Sequence, residues 1–357
     1  MVSGKCGGVA SRRIASRLFG AFASAALLAG AATLEAPLAV TDPPVETGSN
    51  EESAPGLDPV HPPQARIERV ETVAGNLLAV FVASPAMGRT VEVQVLLPAH
   101  RDSPRPTVYM LDGRSAAPDV NNWTARGGAL SFFADKNVNV VFTLGGPASY
   151  YTDWQRSDPK LGTNRWETFL TRELPPLIDA RFGGDGMNGL EGVSMGAEAA
   201  MMLATRNPGL YRAVAAHSGC YAMSSDFGQA QARAVVGTFG GDPDNMFGPS
   251  GDPQWADHDV LARAEALRGK AIYLSSGSGL PGEHDTPGNP DLRNAVLFGG
   301  PIEAGADMCT RQLADRLAQL AIPATVDRRP TGTHSWPYWA DELPRSWPTM
   351  AAGLGIG

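Results

Sequence analysis

The stretch Asn188–Arg206 (NGLEGVSMGAEAAMMLATR) sets an apolar run, a Gly-x-Ser-x-Gly turn and a helix-forming run end to end. A serine at the tip of a strand-to-helix turn is held in a strained backbone conformation. Only glycines two residues to either side let the chain pack that closely, so the pattern dictates the local fold as much as the chemistry. Gly192-Val193-Ser194-Met195-Gly196 has that form. Glycine supplies 41 of the 357 residues, and roughly 0.3 such matches would arise by chance in a chain of this composition. The pentapeptide alone therefore says little, and its flanks carry the inference. A strand before it and a helix after it make Ser194 a nucleophile, against the alternative of an ordinary glycine-rich turn.

The rest of the chain repeats this alternation. Short apolar runs bounded by Gly, Pro or Asp predict strands at Leu77–Ser84, Val91–Leu97, Val108–Leu111, Val138–Leu144, Met187–Val193, Ala213–His217, Ala271–Ser275 and Ala324–Arg328. Helical spacing of apolar residues predicts helices at Trp166–Phe182, which Pro175 and Pro176 should kink, and at Ala197–Arg206 and Met308–Leu320. Alternating strands and helices imply an α/β class protein with a central, mostly parallel sheet and helices on both faces. With the serine turn, this is the α/β-hydrolase layout. No internal repeat is evident.

Residues 1–39 read as an export signal: Lys5, Arg12, Arg13 and Arg17 precede the alanine-rich apolar run Leu18–Leu34. The alternative is a retained anchoring helix, because a run of ~20 apolar residues can span a bilayer. No later segment is long and apolar enough to do so. Residues 40–64, rich in Pro, Glu, Ser and Gly, read as a disordered linker, and residues 65–357 as the folded domain. A formal net charge of -8 argues against nucleic acid as a partner. Cys6 falls in the signal. In an oxidising setting Cys220 and Cys309 read either as a disulfide or as two buried thiols. No CxxC or HExxH pattern suggests a metal.

A serine hydroxyl needs a base to take its proton, and in this fold class the order along the chain is Ser, acid, His. His61 and His100 precede Ser194 and read as solvent-facing. His217, His258 and His284 read better as turn or packing residues. His334, in RPTGTHSWPYW after the last strand candidate, is the best placed base.

Beyond these motifs, the chain from about Ala65 to Trp339 closely resembles the actinobacterial mycolyltransferase family, the antigen 85 complex and its corynebacterial relatives. The resemblance is carried by SPAMGRTVEVQVLLP, VYMLDGRS, SYYTDWQ, NRWETFLTRELP, GVSMG, FGPSGDPQW, GGPIEA and GTHSWPYW. It implies Ser194 as nucleophile, His334 as base and Glu303 as acid, with Glu283 and Asp285 as alternative acids. It also implies an oxyanion hole from the backbone N–H groups of Arg114 and Met195, and a sugar site lined by Asp112, Arg114, Asn122, Trp123 and Trp336. The implied reaction passes a mycolyl group from trehalose monomycolate to a second trehalose monomycolate or to arabinogalactan in the cell envelope, with no metal or organic cofactor. A plain carboxylesterase or thioesterase, and a non-catalytic carbohydrate- or matrix-binding protein on the same fold, are the rival readings.

Three departures from the family stand out. Where antigen 85 proteins carry DGLR, with an arginine that helps hold the sugar, this chain has Asp112-Gly113-Arg114-Ser115. The short disulfide loop before WETFLT has no cysteines here. Ser275 or Ser276 replaces a family cysteine near the acid, which should abolish thiol-directed inhibition, and the Cys220 and Cys309 arrangement looks corynebacterial.

Overall fold

A computed structural model describes residues 64–357; the proposed signal and nearly all of the linker lie outside the described residues. Among those described, no helix is long and apolar enough to cross a membrane.

Nine strands form one sheet in the order β1-β2-β3-β5-β4-β6-β7-β8-β9. They are β1 (Arg66–Ala74), β2 (Leu77–Ser84), β3 (Arg89–Leu96), β4 (Arg105–Leu111), β5 (Asn139–Thr143), β6 (Gly184–Val193), β7 (Tyr211–His217), β8 (Ala271–Gly277) and β9 (Thr325–Arg329). The first three strands run antiparallel to their neighbours and β5, β4, β6, β7, β8 and β9 are mutually parallel. The mostly parallel α/β sheet is therefore present, and all eight expected strands appear within a few residues of their anticipated ends.

Alternate side chains of each central strand feed two separate cores. Tyr109 and Leu111 of β4, Leu190 of β6 and Val214 and Ala216 of β7 pack on one face with the Met195–Arg206 and Gly300–Gln319 helices. Val108, Met110, Val193, Ala213 and Ala215 pack on the other, against Trp339, Leu343 and Met350 of the Trp336–Gly353 helix. Burial on both faces explains why these strands read as continuous apolar runs rather than as alternating ones.

The departures from expectation have local causes. In β1 (RIERVETVA) almost every side chain is solvated, so no apolar run announces it; antiparallel pairing with β2 makes it a strand. The Trp166–Phe182 helix contains a π-helical turn at Phe169–Glu173, directly before Pro175 and Pro176, which fall in the first turn of its last segment, Leu174–Phe182. A proline there gives up an N–H that the start of a helical segment does not use. Asp226–Thr238 is a helix despite Gly228 and Gly237. Trp336–Gly353 is one despite Pro344 and Pro348. Those two prolines are four residues apart and exposed, so both rings lie on the side of the helix turned away from the core. Cys220 and Cys309 are joined by a disulfide with Cα atoms 4.8 Å apart, tying the turn after β7 to the Gly300–Gln319 helix.

Candidate active site

Ser194 sits between β6 and the Met195–Arg206 helix with φ 55° and ψ −124°, a conformation costly for any residue with a Cβ. Its backbone N–H donates to His217 O at 2.8 Å, which anchors the turn to β7. A Cβ on Gly192 would lie 2.2 Å from Gly196 O, and one on Gly196 would lie 2.5 Å from Asp112 O. Both glycines are obligatory, for the reason the sequence suggested: backbone must touch backbone on either side of the serine.

The two other residues arrive from separate segments. His334 lies on the loop between β9 and the Trp336–Gly353 helix, its N–H donating to Gly299 O at 3.2 Å. Glu303 lies in the first turn of the Gly300–Gln319 helix, completely buried. Ser194 Oγ is 2.8 Å from His334 Nε2, and His334 Nδ1 is 2.7 Å from Glu303 Oε2. The other oxygen of Glu303 accepts from Gly277 N–H at 2.6 Å and from Ser218 Oγ at 2.8 Å. A carboxylate so held accepts from Nδ1–H and leaves Nε2 free to take the proton of the serine hydroxyl.

The alternative acids and bases are engaged elsewhere. Glu283 is exposed. Asp285 accepts from Thr333 Oγ1 at 2.9 Å and Tyr338 OH at 2.7 Å, pinning its loop. His217 is buried between Ser275 Oγ, at 2.8 Å, and Glu191 Oε1, at 3.0 Å. His258 is buried and stacked on Phe247, while His284 pairs with Asp341 at 2.6 Å. His100 is exposed; His61 lies outside the described residues. Ser275 is bonded to His217 at 2.8 Å and Ser276 to Asp307 at 2.9 Å.

A cavity of about 270 Å³ opens onto Ser194 and His334, with Asp112, Arg114 and Ser115 on one wall, Phe298 and Ile302 on another, and Trp336 at its edge. Met195 begins a helix, so its N–H has no acceptor within that helix. Arg114 N–H donates to no protein acceptor among the described residues, and the Arg114 guanidinium reaches over the Phe239 ring at 5.9 Å. Asp112 is buried. Its carboxyl is pushed above the usual range by burial, an effect moderated by donors from Asn122 and Gly113 and by the nearby Arg126 charge. Both the N–H and the side-chain amide of Asn122 reach Asp112 Oδ2 at 2.8 Å.

Two of the expected sugar contacts need correcting. Trp123 has no exposed surface; its indole donates to Leu111 O at 3.0 Å and its ring meets Trp336 edge-on at 5.4 Å. It supports Trp336 rather than touching a ligand. Asn122 likewise acts on Asp112 and does not line the cavity. Sequence reasoning missed Ser218, which holds Glu303 while accepting from Trp339 Nε1 at 3.0 Å, and Arg126, which lines the cavity from the turn after Trp123. Ser218 directly follows strand β7, a position that could have flagged it.

This sheet order, with a serine on the turn after β6 and a histidine on the loop after β9, defines an α/β-hydrolase. Relatives agree. The family described as putative esterase matches residues 84–350. The chain is 30% identical over 282 residues to the diacylglycerol acyltransferase/mycolyltransferase Ag85B of Mycobacterium intracellulare, covering 77% of this chain and 82% of that one. It is 31% identical over 286 residues to the Ag85B protein of Mycolicibacterium smegmatis, covering 77% and 84%. The crystal structure of Mycobacterium tuberculosis MPT51 (FbpC1) superposes with a TM-score of 0.67 at 25% identity, over 79% of this chain and all of that one. An S-formylglutathione hydrolase from Agrobacterium tumefaciens shares the fold at a TM-score of 0.59 and 17% identity, over 81% of this chain and all of that one. The chain belongs to the esterase family and, within it, to the Ag85-type acyltransferase/mycolyltransferases.

Proposed function

We propose that the protein is a serine acyltransferase that moves a mycolyl group from trehalose monomycolate to a second trehalose monomycolate or to arabinogalactan, acting outside the cytoplasm in envelope assembly. The observation that carries this is the chain of short hydrogen bonds from Ser194 through His334 to buried Glu303, at a cavity with one polar and one apolar wall. Ser194 Oγ attacks the ester carbonyl as its proton passes to His334 Nε2. The N–H groups of Met195 and Arg114 take the oxyanion. The tetrahedral species collapses, the trehalose oxygen leaves with the proton from Nε2, and the acyl group stays as an ester on Ser194. An acceptor hydroxyl then gives its proton to Nε2 and takes the acyl group, restoring the serine.

Exposed Phe298 and Ile302 suit an alkyl chain, whereas Asp112, Arg114 and Trp336 suit a sugar. The test is to incubate purified protein with trehalose monomycolate and resolve the lipid products. Dimycolate with release of free trehalose is expected. Free mycolic acid alone, with trehalose present in excess, would establish a plain esterase and refute transfer.

A further inference from the structure

Behind the triad acid lies a second buried cluster of charge. Arg329 ends strand β9, and its side chain is only 9% exposed. Its Nη1 donates to Glu342 Oε1 at 2.5 Å and to Tyr338 O at 3.2 Å, and its guanidinium lies over the Tyr338 ring at 5.1 Å. Glu342, on the Trp336–Gly353 helix, is fully buried, and its other oxygen accepts from Tyr273 OH at 2.7 Å. Arg329 Nη2 stops 3.9 Å from Glu303 Oε1, beyond hydrogen-bond reach. Among the described residues neither Nη2 nor Nε finds an acceptor. A buried N–H left so is costly, yet a shift of about 1 Å would pair Nη2 with the triad carboxylate. The other charges around the cluster are engaged elsewhere. Half-exposed Arg345 pairs with Asp327 at 3.1 Å, Arg328 pairs with Asp307 at 2.7 Å, and Asp285 accepts from Tyr338 OH at 2.7 Å.

We infer that Glu342 is a positioning residue for the triad: it holds the Arg329 guanidinium short of Glu303, so that the Glu303 carboxylate keeps its charge for His334. The balance of charge argues for this. Two carboxylates and one guanidinium leave a single negative charge in the buried cluster, and the His334 imidazolium of the transition state cancels it. Without the charge of Glu342, Glu303 and Arg329 already cancel. The imidazolium would then form beside an uncompensated guanidinium, away from water, where charges act strongly on one another. Hydrogen bonding points the same way. Glu303 Oε1 already accepts from Gly277 N–H and Ser218 O–H, and a guanidinium drawn onto it would displace one of the donors that aim Oε2 at Nδ1. Neither Arg329 nor Glu342 lines the substrate cavity, so both act through Glu303. The inference rests on the Ser194–His334–Glu303 reading, and no sugar or acyl chain enters it.

The test measures kcat and KM on p-nitrophenyl hexanoate for wild type, Glu342→Gln and the double variant Arg329→Met/Glu342→Gln. Active sites are counted with a fluorophosphonate probe, so that unfolded protein does not enter kcat. Glutamine keeps the size of Glu342 and an oxygen for Arg329 Nη1 while removing the charge. Glu342→Gln should lower kcat about tenfold or more with KM little changed. Removing the guanidinium as well leaves Glu303 alone to meet the imidazolium, and kcat should return to within about threefold of wild type. A purely structural role for the pair predicts the opposite, a double variant no faster than the single one. That result, or a single variant with wild-type kcat, overturns the inference and leaves the triad standing. Ser194→Ala is run in parallel: undiminished turnover there would sink the triad reading, and the inference with it.

Discussion

Replacing Glu303 by glutamine isolates the role of the acid, because the pocket dictates which way the amide must point. Gly277 N–H and Ser218 O–H both donate to Oε1, so the carbonyl oxygen of glutamine is held there. Its NH2 group then faces His334 Nδ1, 2.7 Å away in the native protein. Nδ1 must accept, the imidazole proton moves to Nε2, and Nε2 can no longer take the proton of Ser194, which lies 2.8 Å off. The same tautomer trap in a serine protease lowers kcat about 10⁴-fold, equivalent to about 5.4 kcal/mol of transition-state stabilisation. Initial rates on p-nitrophenyl hexanoate should therefore fall about 10⁴-fold in kcat/KM. Folding should be little affected, because both bonds to Oε1 survive. Glu303→Ala instead strands three donors, at about 1–3 kcal/mol for each group left unpaired. A Glu303→Gln rate within tenfold of wild type, or a Glu283→Gln variant that is the slower of the two, would refute this reasoning.

Four further outcomes are expected. Ser194→Ala should form no covalent adduct with a fluorophosphonate probe by intact mass, while wild type gains one; an adduct on the variant would locate the nucleophile elsewhere. Gly196→Ala should cost more than the ~1–3 kcal/mol typical of overpacking in denaturant titration, because its Cβ meets Asp112 O rather than a movable side chain; a loss below 1 kcal/mol would contradict the geometry. Replacing both Cys220 and Cys309 by alanine removes a crosslink between positions 89 residues apart and should lower stability by about 4–5 kcal/mol on the chain-entropy account; unchanged denaturation midpoints would exclude it. Burial raises the Glu198 carboxyl from its ordinary 4.5 to about 8, despite donors from Cys220 N–H and Gln231. The folded state therefore binds this proton more tightly than the unfolded chain, and the stability it confers is full below about pH 4.5 and is lost as pH rises through about 8. Glu198→Gln should flatten that decline in melting temperature, and an identical slope in the variant would assign it to other groups.

What the sequence made legible follows from where the physics is local. Strands buried on both faces announce themselves as apolar runs, so β4 through β8 were readable. The elbow was readable because Gly192 answers a steric demand made within five residues, by the Gly196 carbonyl, although the demand on Gly196 itself comes from Asp112 O, just after β4. Glu303 was not: its position in the first turn of a helix offers no local sign, and only its meeting with His334, 31 residues on, distinguishes it from Glu283 or Asp285. Trp123 misled because a tryptophan beside a site reads the same whether it faces ligand or braces the residue that does. The Trp336–Gly353 helix was hidden by Pro344 and Pro348, whose cost to the helix is outweighed by the packing of its opposite face, through Trp339, Leu343 and Met350, on the sheet.

The outermost strands carry a final implication. Along β1 lie exposed Arg66, Glu68, Arg69 and Glu71, and β9 carries Asp327, Arg328 and Arg329, engaged with Arg345, Asp307 and Glu342 respectively. Another chain that tried to add a strand at either margin would have to strip water or ionic partners from these charges. Both margins thereby resist the addition of a further strand, so copies of the protein can stand crowded against one another without joining into a fibre.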